Sequence, residues 1–230
     1  MFSFKQLRQL MQLQASGTLA VRIQPVSSFT RLHLSVHGTV ELRHGNEEKV
    51  VLETDDNLLD QVGVTNAGET LYVTTGSKLL RPAFSQLRVV VYLRQLQHLN
   101  IANYGSVVCP EPLRALEPLD IRIQSLGDTQ LMLQADVLNL YCTCQGRVTV
   151  AGTAGQVLIS NKSQGELDCH DLAAQHLKLR NSGVGNVQVR AEQTIRIKHS
   201  GVGFVHYTGP ARLLEINQQG VGEVKHVDQQ

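Results

Sequence analysis

Leu177-Lys178-Leu179-Arg180-Asn181-Ser182-Gly183-Val184-Gly185 returns 18 residues on as Ile195-Arg196-Ile197-Lys198-His199-Ser200-Gly201-Val202-Gly203. Within each stretch apolar residues stand at i and i+2, then small residues and glycines intervene. Alternation with period 2 is strand-like, because successive side chains point to opposite faces. Glycine at fixed places suits a tight corner, where the backbone takes a positive φ or approaches another segment closely.

The pattern extends in both directions. A first apolar column reads Leu99, Leu119, Leu138, Val157, Leu177, Ile195 and Leu214, and a second reads Ile101, Ile121, Leu140, Ile159, Leu179, Ile197 and Ile216. A small-residue column follows: Gly105, Ser125, Cys144, Ser163, Gly183, Gly201 and Gly220. Two places on stand Val107, Gly127, Gly146, Gly165, Gly185, Gly203 and Gly222. The steps are 20, 19, 19, 20, 18 and 19 residues in every column. An internal period near 20 marks a repeat architecture. Leucine-rich repeats share the period but need an L-x-x-L-x-L frame and a helical return, neither of which is present. The sequence therefore predicts an all-β fold: a single-stranded parallel β-helix with coils of about 19 residues stacked at about 4.8 Å. Its expected hand is right, because parallel crossovers nearly always are.

The seven coils span 99–226. Before them, Leu32, Leu34, Gly38, Val40 and Leu42 resemble one more coil. Lys49–Glu53, Thr70–Thr75 and Arg88–Leu93 alternate as strands, and Gly45-Asn46 and Asn66-Ala67-Gly68 signal turns. Asp55–Asp60 suits a short helical turn. Residues 21–98 are expected to pair with the solenoid as an N-terminal β capping layer, so that 21–230 form one domain. Residues 1–20 precede it as a capping segment. In Met1–Leu13, Phe2, Phe4, Leu7, Leu10 and Met11 oppose Lys5 and Arg8, which fits a cover for an open solenoid end better than a membrane-surface anchor. This stretch lacks the continuous apolar core of a signal peptide.

Composition excludes several function classes. Net charge is +1 over 230 residues, aromatics make up 4% and tryptophan is absent. Neither general nucleic-acid binding nor stacking platforms for bases is supported, and no stretch has the length of a transmembrane helix. Of the four cysteines, Cys109 and Cys169 are expected three coils apart, roughly 14 Å at the stacking distance, too far for a disulfide. Cys142 and Cys144 are poorly placed for each other. All four are expected to fill small interior sites as free thiols.

In order, Phe29-Thr30-Arg31-Leu32-His33-Leu34, Asp56-Asn57-Leu58-Leu59-Asp60-Gln61-Val62, Gly68-Glu69-Thr70-Leu71-Tyr72-Val73 and Val89-Val90-Val91-Tyr92-Leu93 appear, followed by Leu96, Leu99 and Ile101. With the Ser-Gly-Val-Gly turns at Ser182 and Ser200, this order resembles the head domain of "putative autotransporter adhesins", the GIN-domain family of unknown function, over about residues 21–225. The resemblance implies a β-helix in a cell-envelope or secreted setting. It carries no catalytic residues.

Glycosidic cleavage needs two carboxylates about 5–10 Å apart. The column Val108, Asp128, Arg147, Glu166, Asn186, Phe204 and Glu223 alternates acid and base, which suits charge pairing between coils. Glu166 and Asp168 share a face, but nothing else converges on them. The nine histidines do not stack on adjacent coils, and no HExxH or CxxC spacing exists, so no metal or other cofactor is expected. Asn103, Asn161, Asn181, His199 and Gln218 form an inward-leaning column that suits a ladder of amide hydrogen bonds. One surface feature stands out. Lys178, Arg180, Arg196 and Lys198 fall in two outward columns on neighbouring coils, where like charges repel unless solvated or neutralised. A wet, flexible face explains them, and so does a contact for an anionic partner, either an acidic glycan or a protein surface.

The sequence thus points to a non-enzymatic binding or structural module. A carbohydrate-active β-helix enzyme is the alternative, with a self-assembling intracellular scaffold as a third. The short tail Val227–Gln230 after the last coil leaves strand edges open to pairing with a second copy, a homo-oligomer through solenoid ends.

Overall fold

The computed structural model describes residues 14–76 and 82–227. Along the chain come β1 (Leu19–Pro25), β2 (Arg31–Ser35), β3 (Thr39–His44), β4 (Lys49–Asp55), a 3-10 turn (Asp56–Gln61), β5 (Val62–Ala67), β6 (Thr70–Thr75) and β7 (Leu87–Leu93). The solenoid continues through β8 (His98–Ile101), β9 (Val107–Ala115), β10 (Leu119–Ile123), β11 (Thr129–Cys142), β12 (Val148–Asn161), β13 (Leu167–Asn181) and β14 (Val187–His199). It ends on β15 (Val205–Thr208), β16 (Arg212–Gln218) and β17 (Val224–His226). The expected parallel β-solenoid is therefore present. The long strands β11 to β14 each turn a corner and serve both faces of the coil.

Two ladders run the length of the molecule. One stacks β5, β6, β2, β8, β10 and the second halves of β11, β12, β13 and β14, and ends on β16. The other stacks β1, β4, β7, β3, β9 and the first halves of β11 to β14, then β15 and β17. The coil expected at Leu32–Leu42 is β2 and β3, and the turns at Gly45-Asn46 and Asn66–Gly68 join β3 to β4 and β5 to β6. Strand β1, where Leu19, Val21 and Ile23 alternate with Ala20, Arg22 and Gln24, and strand β5 are not among the expected strands. They close the N-terminal end by antiparallel pairing with β4 and β6. Met1–Leu13 and Asp228–Gln230 lie outside the described residues.

One expected register is corrected. Leu99 pairs with Ile121, not Leu119, and Ile101 pairs with Ile123. The first copy is displaced by two residues, so Gly105 stacks on Gly127 and Val107 on Thr129. A slip of two preserves which side chains face inward, so alternation alone does not reveal it. The surplus residues sit in the irregularity between Cys109 and Leu113, which carries Pro110 and Pro112. At the other end Ile195 pairs with Leu213, not Leu214, beside a second irregularity.

The core is a stack of aliphatic columns. Ile121, Leu140, Ile159, Leu179 and Ile197 are all fully buried. Each such side chain contributes about 1.5–3 kcal/mol on burial, against a few tenths for an exposed ion pair, so the columns and not the surface charges hold the coils together. The four cysteines are free and buried, as expected.

At the corner, glycine is required. Gly203 has φ +126°, and a Cβ there would stand 2.3 Å from the Gly185 carbonyl oxygen of the coil beneath. Gly203→Ala is expected to cost about 2–4 kcal/mol, combining the strain of a positive φ with coil separation, as read by chemical denaturation.

Candidate functional site

The cationic strip is built by strand parity. In β13 and β14, Leu177, Leu179, Ile195 and Ile197 point inward and are buried, so Lys178, Arg180, Arg196 and Lys198 must point out. Parallel pairing sets Lys178 beside Arg196 and Arg180 beside Lys198, one strand spacing of about 4.8 Å apart. The sequence-predicted cluster is therefore assembled.

Its neutralisation is partial. Glu215 on β16 pairs in register with Arg196 but reaches across to Lys198, with Oε1 3.2 Å from Nζ. Among the described residues, Lys178, Arg180 and Arg196 have no carboxylate within 4 Å. Beside them Val137, Gln156, Leu158 and His176 help to line a shallow depression of about 300 Å³. His176 Nδ1 lies 2.9 Å from the Thr194 hydroxyl. Further along the same face, Arg122 lies over the Tyr141 ring at 5.7 Å. Sequence reading overlooked Arg122, Tyr141 and His176, although the expected register already sets Arg122 and Tyr141 in the column of Arg180, and His176 two residues before Lys178. None of them repeats as a like charge on the neighbouring coil, the signal that marked the strip.

The inward amide ladder is real but shorter than expected. The Asn161 side-chain amide donates to Asn181 Oδ1 at 2.9 Å, and the Asn181 amide donates to His199 Nδ1 at 3.0 Å. All three are buried. Gln218 follows in register but turns away, donating to the Gly222 carbonyl at 2.6 Å. Asn103 belongs to the Ser125 column and accepts from the Val36 amide at 2.8 Å. The two-residue slip explains its displacement. The row pairs internally through Asn161, Asn181 and His199 Nδ1, while among the described residues His199 Nε2 and Asn103 Nδ2 are buried without a hydrogen-bond partner.

The proposed acid–base column also forms in part. Arg147 meets Glu166 at 2.8 Å, and its backbone amide donates to Asp128 at 2.9 Å. With the corrected register Ser106, not Val108, begins this column, its carbonyl and that of Asp128 capping neighbouring turns. Glu166 is thus engaged, and Asp168 binds His170 Nδ1 at 2.7 Å. Burial pushes the thiols of Cys142, Cys144 and Cys169 upward, and that of Cys109 up to about 11. Such thiols are poor nucleophiles, because reactivity belongs to the thiolate. Among the described residues no three His, Cys, Asp or Glu side chains gather as a metal site, and no helix is long and apolar enough to cross a membrane.

His170 is an exposed base held between two carboxylates. The hydrogen bond that its Nδ1–H donates to Asp168 raises its pKa above the ordinary 6.5, against burial and with further support from Asp168 and Asp171 charges, while Arg190 opposes. Its Nε2 stands 3.1 Å from Asp171. A raised folded pKa means that the stabilisation is complete below the unfolded value and fades as pH rises through the folded one. Thermal melts of the protein and of His170→Ala between pH 5 and 9 are expected to differ most at the acidic end and to converge at the alkaline end.

Similarity to known proteins follows the architecture. Residues 28–211 match the family described as "Putative auto-transporter adhesin, head GIN domain". No curated protein matches the chain. A solved "putative adhesin" from Bacteroides fragilis superposes with a TM-score of 0.89 at 22% identity, covering 94% of this chain and 100% of that one. A "putative lipid binding protein" from Parabacteroides distasonis gives 0.72 at 19% identity, with 94% and 99% covered. A "putative adhesin" from Parabacteroides merdae gives 0.63 at 17% identity, again with 94% and 99% covered. At these identities the likeness concerns the fold.

Proposed function

The chain belongs to the family of head GIN domains of "putative auto-transporter adhesins", and from that premise we propose that it is a non-enzymatic binding module whose strip on β13 and β14 takes an acidic glycan. The observation that carries this reading is the register that places Lys178 against Arg196 and Arg180 against Lys198, with Glu215 reaching only Lys198. Three cations without a carboxylate partner among the described residues, on two adjacent strands, repel one another. An anion spanning both strands relieves that repulsion and meets charge-assisted donors.

A binding role accords with the family description and with the adhesin and lipid-binding names of the structural neighbours. The family description also favours a cell-envelope setting, with adhesion as the consequence of glycan capture. No observation favours the enzyme alternative, since Glu166 and Asp168 are each held by a basic partner.

Glycan-array binding with the purified protein tests this reading beside the variant Lys178→Glu, Arg180→Glu, Arg196→Glu, Lys198→Glu. Saturable, salt-sensitive binding to acidic glycans is expected, with at least about a tenfold loss in the variant, since each exposed charge contact contributes a few tenths to 1 kcal/mol. Equal binding by both proteins, or none by either, removes the strip as a site.

A further inference from the structure

We propose that the last coil is an interface between two copies of this chain, joined tail to tail about a two-fold axis through β16 and β17. The inward columns that are sealed in every earlier coil lie open there. Ile197 is fully buried, whereas Ile216 next to it in register is 41% exposed. Ile195 is likewise buried, and its partner Leu213 is 42% exposed. The apolar surface continues over the rim, where Val221 extends the stacked ridge of Val184 and Val202 at 70% exposure.

The backbone is open in the same place. β16 pairs only with β14, and β17 only with β15, so among the described residues their outer edges are unpaired. Natural edges are usually blunted by proline, an inward-pointing charge or a covering element. β16, Arg212-Leu213-Leu214-Glu215-Ile216-Asn217-Gln218, has no proline, and its inward positions are apolar or uncharged. What completes such an edge is another extended strand with matching apolar positions.

The choice of a second copy rests on three observations. First, the opposite end does not offer the same inward apolar row. There β1 and β5 pair antiparallel, Leu58 of the 3-10 turn fills the core, and Arg22 to Asp60 and Gln24 to the Val64 carbonyl tie β1 across to the turn and β5. Among the described residues the outer edge of β1 is unpaired too, with Leu19, Val21 and Ile23 exposed on one face. Its other row carries Arg22 and Gln24 and does not continue the apolar row of the last coil, whereas two tails meet isologously. Second, charge on the last coil balances. Arg212 and Lys225 offset Glu215 and Glu223, so two copies face each other without net repulsion. Third, the area suits a reversible pair. A seven-residue edge is about 23 Å long, and an end face roughly 20 Å across covers on the order of 450 Å² per copy. The total of about 900 Å² falls below the standard interface of about 1,200–2,000 Å², in the class of weak, reversible contacts.

Sedimentation velocity of the full chain from about 1 to 300 µM reads the mass directly. It should rise from one copy to two and stop. Ile216→Lys and Leu213→Lys should remain single copies at the highest concentration, with native circular dichroism, while Leu116→Lys, on a distant corner, pairs like the parent chain. Nitroxide labels at Gln219→Cys should lie close to each other across the pair, and labels at Asp60→Cys far apart. A single-copy mass at every concentration overturns the proposal. So do growth beyond two copies, pairing that survives in folded Ile216→Lys and Leu213→Lys, or distant Gln219 labels. If both lysine variants fail to fold, the parent mass and the label distances decide.

Discussion

Close contact between the backbones of successive coils is the constraint on which this molecule depends. At the corners the chain passes so near the turn beneath it that a Cβ at Gly165 would stand 2.2 Å from the Gly146 carbonyl oxygen. That approach holds the parallel ladders at strand spacing, and the ladders align each coil with the next. Once the coils are aligned, every side chain inherits a column. Aliphatic columns fill the interior and supply most of the stability, because burial per residue exceeds what any exposed pair contributes.

The same alignment makes the surface strip unavoidable. Ile197 cannot face inward without turning Arg196 and Lys198 outward, and the ladder then sets them against Lys178 and Arg180. Exposure keeps the repulsion small, so the fold tolerates a concentrated charge that a buried site would not. Inside, stacking of like residues works in the opposite sense. Asn161, Asn181 and His199 Nδ1 pair with one another in a row, at positions where one amide alone would be a buried unpaired group, and only His199 Nε2 at the end of the row lacks a partner among the described residues.

The two ends of the solenoid solve the same problem differently. At the N-terminal end the chain leaves the parallel coil after β3, folds back through β4, the 3-10 turn and β5, and rejoins the stack at β6. Buried Asp55 anchors that return by accepting from the Gly17 and Ser85 amides and the Ser85 hydroxyl. Nearby Glu41 is nearly buried between Arg43 and Arg88. Burial alone would raise its pKa, but the two guanidinium groups hold it below the usual range. The C-terminal end has no such device among the described residues, and its core columns face outward.

Period and parity are local properties, and the sequence by itself determined what depends on them: a parallel solenoid, the residues on each face, the glycine corners, the free cysteines and the outward cluster from Lys178 to Lys198. Tertiary structure alone decided the register at the ends. A two-residue slip leaves every side chain on its correct face, so alternation could not distinguish Leu119 from Ile121 as the partner of Leu99. Nor could spacing show that Gln218 turns toward Gly222, that Glu215 reaches Lys198 and not Arg196, or that β1 and β5 close one end. These outcomes depend on which backbone groups remain unpaired once all coils are stacked, and no single segment of the chain carries that information.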